Sequence, residues 1–209
     1  MKLTFQALKV FLAFILLVVS ISFSADAQNY GVKGGLALSG VNGMEPAGIR
    51  PGLQLGAYKK LGEGEEWSFK IEFLFTQKGS TNWNRSNLAS INLLYAELPV
   101  LFTIEIFNKT SLNLGFSPTM FLFGSFRTSE DGESQRTSLR GDVPPFDYST
   151  FIGFEYDWDP KMFLGIRYNY SWVPLNAYES SFQPVPGNLL LNRTLVLYVG
   201  YRIDHFFKK

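Results

Sequence analysis

A strict alternation of apolar and polar residues between Trp67 and Lys78 constrains the fold more than any other feature of this sequence. Odd-numbered positions from 67 to 75 carry Trp, Phe or Ile, and even-numbered positions are mainly polar, with Leu74 as the exception. Successive side chains of a strand point to opposite faces, so this period of two predicts a strand with one apolar and one polar face. A helix would scatter the same apolar residues around its circumference.

The same period returns in seven further segments. The predicted strands cover residues 30–39, 51–61, 67–78, 93–106, 111–123, 147–158, 162–172 and 194–206. Short links lie near 62–66, 107–110 and 159–161, and long links near 40–50, 79–92, 124–146 and 173–193. Transmembrane barrels combine short periplasmic turns with long extracellular loops, and strands of about 9–11 residues cross a bilayer at a tilt. The pattern therefore predicts an all-β fold, an eight-stranded antiparallel up-and-down transmembrane β-barrel.

The N-terminus has the composition of a secretory signal peptide. Lys2 and Lys9 precede a 12-residue apolar run from Val10 to Ile21, and a small-residue cleavage site ends at Ala27. The run is shorter than the roughly 18 residues of a spanning helix. We predict a signal peptide over residues 1–27 and one barrel domain over 28–209, with an uncleaved anchor as the alternative.

Composition removes several classes of function. Residues 28–209 contain as many acidic as basic residues, so there is no electrostatic footprint for nucleic acid. The chain has no cysteine and one histidine, His205, so we expect no disulfide framework, no zinc site and no other bound metal or cofactor. No nucleophile–base pair stands out, and we expect no enzymatic activity, although a site made of carboxylates alone stays open.

Alternation alone does not say which face of the barrel is inside. A soluble barrel with an apolar interior is the alternative, but the apolar face carries more bulk than an eight-stranded interior can hold. We therefore predict that the polar face lines the lumen. Its charged residues are Lys33, Lys70, Glu72, Glu97, Glu105, Glu155, Arg167 and Arg202. Charges shielded from water need partners, so we expect a structural salt-bridge network, with a proton or ion path as the alternative.

Several short segments resemble the PorT-like outer-membrane β-barrel family of Bacteroidetes-type bacteria. The segments are Tyr30 to Leu36, Glu72 to Gly79, Tyr95 to Leu101, Gly165 to Tyr168 and Gly200 to Arg202. The resemblance covers the chain after the signal peptide and implies an eight-stranded barrel in a Gram-negative outer membrane. It implies no defined activity, because most such proteins have none assigned and a few assist protein secretion.

These observations lead to an expectation about function. We expect a non-enzymatic outer-membrane barrel, surrounded by outer-membrane lipid, that binds a surface partner or supports an envelope or secretion complex. The long loops 124–146 and 173–193 are the candidate docking surfaces for a protein partner. A narrow pore and, less favoured, an envelope lipid-modifying enzyme are the alternatives.

Overall fold

The described part of the chain is almost entirely β-strand. The computed structural model describes residues 30–43, 48–61, 67–82, 87–130, 133–139, 141, 143–175 and 189–203. The strands are β1 (Tyr30–Asn42), β2 (Arg50–Leu61), β3 (Trp67–Asn82), β4 (Asn87–Glu97), β5 (Val100–Phe107), β6 (Thr110–Glu130), β7 (Glu133–Ser138), β8 (Phe146–Asp159), β9 (Met162–Ser171) and β10 (Leu191–Arg202). Within these residues no helix is long and apolar enough to cross a membrane. The predicted signal peptide and the end of the last predicted strand lie outside them.

The sheet closes on itself because its first and last long strands pair. β1 and β10 run antiparallel from the pair Gly31 and Arg202 to the pair Asn42 and Leu191. Each remaining strand pairs antiparallel with its neighbours. β4 and β5 together occupy one strand position between β3 and β6. β7 pairs with β6 outside the closed path. The prediction of a closed eight-stranded antiparallel barrel is confirmed.

One predicted strand, over 93–106, is interrupted at Pro99, which has no backbone N–H. The ladder nevertheless continues through the break. The Leu98 N–H donates to the Pro118 carbonyl at 2.9 Å, and the Glu72 N–H donates to the Pro99 carbonyl at 2.9 Å. β4 and β5 therefore act as one strand of the barrel.

On one side of the barrel the strands run well past their predicted ends. β3 reaches Asn82, β4 begins at Asn87, and β6 reaches Glu130 and pairs there with β7. The predictions that 79–92 and 124–146 are loops were therefore wrong for most of both segments. We call this extension of β3, β4, β6 and β7 the protruding sheet. It continues from the end of the barrel opposite the short turns.

Large apolar side chains point outward and form an apolar belt around the barrel. Leu55 is 59% exposed and Phe116 is 52% exposed, whereas Lys33, Glu72 and Arg167 are buried in the lumen. Other outward members of the belt are Leu36, Phe73, Phe75, Phe123, Ile152, Phe154, Leu164, Ile166, Leu197 and Val199. A belt of lipid-facing apolar residues is the outer surface that a barrel needs in a bilayer.

Candidate functional site

The centre of the lumen is organised around Glu72. Lys33 Nζ donates to both Glu72 carboxylate oxygens, at 2.8 and 2.9 Å. Arg167 reaches the same carboxylate with two guanidinium nitrogens, at 2.7 and 3.0 Å. All three residues are almost fully buried, so one carboxylate balances two cations away from water.

A second buried carboxylate, Glu155, completes this group. It forms an ion pair with Lys70 and accepts a hydrogen bond from the Tyr198 hydroxyl at 3.0 Å. Lys33 Nζ lies 4.0 Å from the centre of the Tyr198 ring, which links the two carboxylates. We call Lys33, Lys70, Glu72, Glu155 and Arg167 the central charge cluster.

Glu97 lies in a separate group nearer the protruding sheet. It forms an ion pair with Lys78 and accepts a hydrogen bond from the Thr76 hydroxyl at 2.9 Å. Thr76 in turn accepts a hydrogen bond from the Gln54 amide at 2.9 Å. Buried polar side chains thus cross-link β2, β3 and β4 above the central charge cluster.

The structure does not bring Glu105 and Arg202 into this arrangement. Glu105 is exposed beside the short turn that joins β5 to β6, because it lies only two residues from the end of its strand. Arg202 ends β10 at the rim, where it pairs with the partly exposed Asp157 and donates to the Pro160 carbonyl at 3.0 Å. These two predicted lumen residues therefore face the solvent end of the barrel.

Three aromatic rings, Tyr58, Phe163 and Tyr198, fill the space beside the central charge cluster. Tyr58 and Phe163 meet edge to face with ring centres 5.6 Å apart. Each ring lies over a glycine on the neighbouring strand: a Cβ at Gly165 would stand 2.2 Å from Tyr198, and one at Gly200 would stand 2.0 Å from Phe163. Glycine lets the rings lie flat against the barrel wall, so they occupy the lumen without distorting it.

The other end of the lumen is closed by apolar side chains. The residues of this apolar cap are Val41, Ile91, Leu93, Tyr95, Leu139, Val143, Leu175 and Leu190, all buried. Leu139, Val143, Leu175 and Leu190 come from segments that follow or precede barrel strands, so connecting chain covers the opening. The Leu175 N–H donates to the Leu190 carbonyl at 2.8 Å and holds two of these segments together.

A cleft lined by three arginines lies on the outer surface of the protruding sheet. It has a volume of about 460 Å³ and is lined by Arg50, Ser90, Asn92, Ser125, Arg127 and Arg136, which we call the arginine cleft. Arg127 and Arg136 are directly paired across β6 and β7, and Ser90 pairs with Arg127 across β4 and β6. The short ladders that make up the cleft lie in segments predicted as loops, so the sequence did not predict that these three arginines come together.

The described residues offer little for catalysis. They contain no group of three or more His, Asp or Glu side chains placed to hold a metal ion. The only histidine, His205, lies outside the described residues. The buried carboxylates Glu72 and Glu155 are held by cations and by Tyr198 inside the lumen.

Comparison with known proteins identifies the family. A family model described as an outer membrane protein beta-barrel domain matches residues 24–175. No curated protein matches the chain. Two solved structures are similar in fold. Ail, the attachment invasion locus protein of Yersinia pestis, aligns with a TM-score of 0.51 and 16% sequence identity, and the alignment covers 84% of this chain and 99% of Ail. Neisserial surface protein A aligns with a TM-score of 0.51 and 12% identity, and the alignment covers 86% of this chain and 100% of that protein. With the family model covering most of its length, this chain belongs to the outer membrane protein β-barrel domain family.

Proposed function

We propose that this protein is a non-enzymatic outer-membrane barrel with a closed lumen, and that it acts through its extracellular surface as a binding or envelope accessory component. The observation that carries the proposal is the contrast between the two parts of the molecule. The lumen is filled by the central charge cluster, aromatic rings and the apolar cap, whereas β3, β4, β6 and β7 continue beyond the belt as the protruding sheet, in which residues 135–138 are exposed.

The orientation follows from the lengths of the connections. Transmembrane barrels keep short turns on the periplasmic side and long excursions outside. The short turns at Asn108–Lys109 and Pro160–Lys161 lie at the end opposite the protruding sheet. The protruding sheet and the apolar cap therefore belong on the cell exterior. The predicted signal peptide over 1–27 would deliver the chain for insertion.

The pore alternative conflicts with the packing of the lumen. Conduction needs a continuous water-filled path, and eight strands leave room for little besides side chains. Here Arg167, Tyr95 and Leu93 are almost fully buried at successive levels of that space. An enzyme of the envelope is disfavoured because the described residues place no nucleophile beside a base at the outer rim.

The resemblance to PorT-like barrels supports the accessory version of this function. Under it, a protein partner of the cell envelope or its secretion apparatus docks on the exterior surface. β7 is a suitable docking element, because Gln135, Arg136, Thr137 and Ser138 are all exposed and the strand pairs with β6 off the closed path of the barrel. An edge strand can accept a further strand from a partner.

Site-specific photo-crosslinking at native abundance tests this proposal. A photoreactive residue at position 137 would report contacts of the protruding sheet, and one at position 161 would report contacts of the periplasmic turn. We expect a defined adduct from position 137 in intact cells and none from position 161. Adducts formed at position 161 alone, or at neither position, would contradict a function exerted through the exterior surface.

A further inference from the structure

We propose that the arginine cleft binds the phosphate groups of an anionic lipid in the outer leaflet of the surrounding membrane. This inference goes beyond the docking function proposed above, because the occupant is membrane lipid and not a protein partner, although Arg136 belongs to both surfaces. The proposal rests on the charge of the cleft, its height on the barrel and the geometry that holds it open.

The lining of the cleft has the chemistry of an oxyanion site. Arg50, Arg127 and Arg136 bring three guanidinium groups, and Ser90, Asn92 and Ser125 add hydroxyl and amide donors; no carboxylate is among the described lining residues. Guanidinium groups bind phosphate with paired, charge-assisted hydrogen bonds. A volume of about 460 Å³ is larger than one phosphate needs and suits a phosphorylated headgroup.

The height of the cleft points to lipid. Towards the protruding sheet, the outward-facing residue that follows Leu94 on β4 is Asn92. On the neighbouring strand β6, the outward-facing residue that follows the exposed Phe123 is Ser125. The lower residues of the cleft are thus two positions above the belt, about 5 Å along the barrel axis at the usual rise and tilt. Headgroups occupy the first several ångströms outside the hydrocarbon core, which is the level of Asn92 and Ser125. Arg127 and Arg136 lie two positions further out on their strands, and their long side chains can reach back to phosphates at that level.

Gly79 keeps the cleft open on the side of Arg50. Its φ of 146° is a conformation that favours glycine, and a Cβ there would stand 1.9 Å from the Ile91 carbonyl oxygen and 3.2 Å from Cδ of Arg50. Arg50 also donates to the Lys78 carbonyl at 3.5 Å. The Arg50 side chain therefore crosses β3 where there is no side chain to obstruct it, and it faces Arg127 and Arg136 across the cleft.

The test uses the full-length protein in vesicles of phosphatidylcholine with a minor fraction of bisphosphorylated lipid A. After mild detergent extraction, native mass spectrometry counts the lipid A that each barrel retains. We expect the wild type to retain lipid A, and the triple variant R50Q/R127Q/R136Q to retain at least about tenfold less, because each lost charge-assisted contact weakens binding by roughly that factor. R202Q, at the opposite rim, should retain as much as the wild type.

Further experiments test whether the bound anion is the phosphate of a lipid or another anionic ligand. Equal retention by the wild type and the triple variant would overturn the site, provided that both show the heat-modifiable gel shift of a folded barrel. Equal retention of dephosphorylated lipid A by the wild type would overturn phosphate recognition. Arginine-dependent binding of soluble heparin fragments without retention of lipid A would overturn the lipid as occupant. Each result is independent of the photo-crosslinking outcome at position 137.

Discussion

Glu72 on β3 and Arg167 on β9 meet across the lumen in a two-point contact, with N–O distances of 2.7 and 3.0 Å. β3 and β9 are not neighbours in the sheet, so this contact ties opposite walls of the barrel together. Lys33 from β1 binds the same carboxylate. One side chain thus connects three strands through the centre of the molecule.

Removing the charge of Glu72 should destabilise the barrel strongly. Glu72→Gln leaves Lys33 and Arg167 buried without the carboxylate that both of them contact, and loss of one partner of a buried ion pair typically costs about 3–5 kcal/mol. We expect a loss of this size in the free energy of unfolding, measured by urea titration of the protein refolded in vesicles.

Glu105→Gln is the matched control, because it makes the same chemical change at an exposed carboxylate outside the cluster. It should unfold at the same urea concentration as the wild type. If Glu72→Gln instead left stability unchanged and raised ion conductance, the cluster would be a conduction path and not a structural network.

A methyl group added at Gly200 should destabilise the barrel, because the Phe163 ring packs directly against this glycine. In Gly200→Ala the new Cβ would stand 2.0 Å from the Phe163 ring, which is packed against Tyr58 and has little room to move. We expect a loss of about 1–3 kcal/mol in the free energy of unfolding, as for other overpacked cores.

Gly34→Ala is the control for this substitution. Its Cβ would meet Cδ2 of Leu55 at 2.8 Å, at the flexible end of a lipid-facing side chain that can rotate away. Gly34→Ala should therefore cost clearly less than Gly200→Ala. Equal losses at the two positions would show that the rings do not depend on glycine for their placement.

The apolar belt makes a prediction that depends on depth. Phe116→Arg would place a charge in the middle of the belt and should cost about 2–4 kcal/mol in a bilayer. Phe107→Arg makes the same change in a residue that is 73% exposed beside the short turn of the periplasmic rim, where the cost should fall to about 0–1 kcal/mol. Equal costs in a vesicle unfolding assay would contradict the assigned membrane position.

The apolar cap should contribute stability without being the only closure of the lumen. Leu93→Ala would leave a cavity at a fully buried position and should cost about 2–5 kcal/mol, whereas Leu53→Ala, at a residue 52% exposed on the belt, should cost less. We expect no conductance from either variant in a planar bilayer, because the central charge cluster still fills the lumen below. Channel opening by Leu93→Ala would assign the closure to the cap alone.

Alternation predicted the face of most side chains but not their partners. Lys33, Glu72 and Arg167 were all placed on the polar face, yet their strands meet only through the lumen, and that meeting depends on the tilt and stagger of the closed barrel. Glu105 lies on the same face of its strand as Glu97. It is exposed because it is close to the end of the strand, where a side chain that points inward still reaches solvent.

The protruding sheet was missed because apolar residues are few along it: Ile91 and Phe126 pack against the apolar cap, but small and polar residues dominate the rest of these segments. At 135–138, the four described side chains of β7 are all exposed, so no apolar period marks the strand. The arrangement of the arginine cleft could not be predicted from the sequence, since Arg50, Arg127 and Arg136 come together only when β4, β6 and β7 pair beyond the belt. The local signals were Gly79, at the end of a segment that resembles a known family, and the charged residues Arg127 and Arg136.

The central claim is that the lumen is closed and that function lies on the exterior surface. The most direct test is single-channel recording of the wild-type barrel, refolded and inserted into a planar bilayer, with insertion verified by the heat-modifiable gel shift. A filled lumen predicts a flat baseline with no stable current steps at any applied voltage. Reproducible steps of constant conductance from the folded wild type would contradict the account and identify a pore.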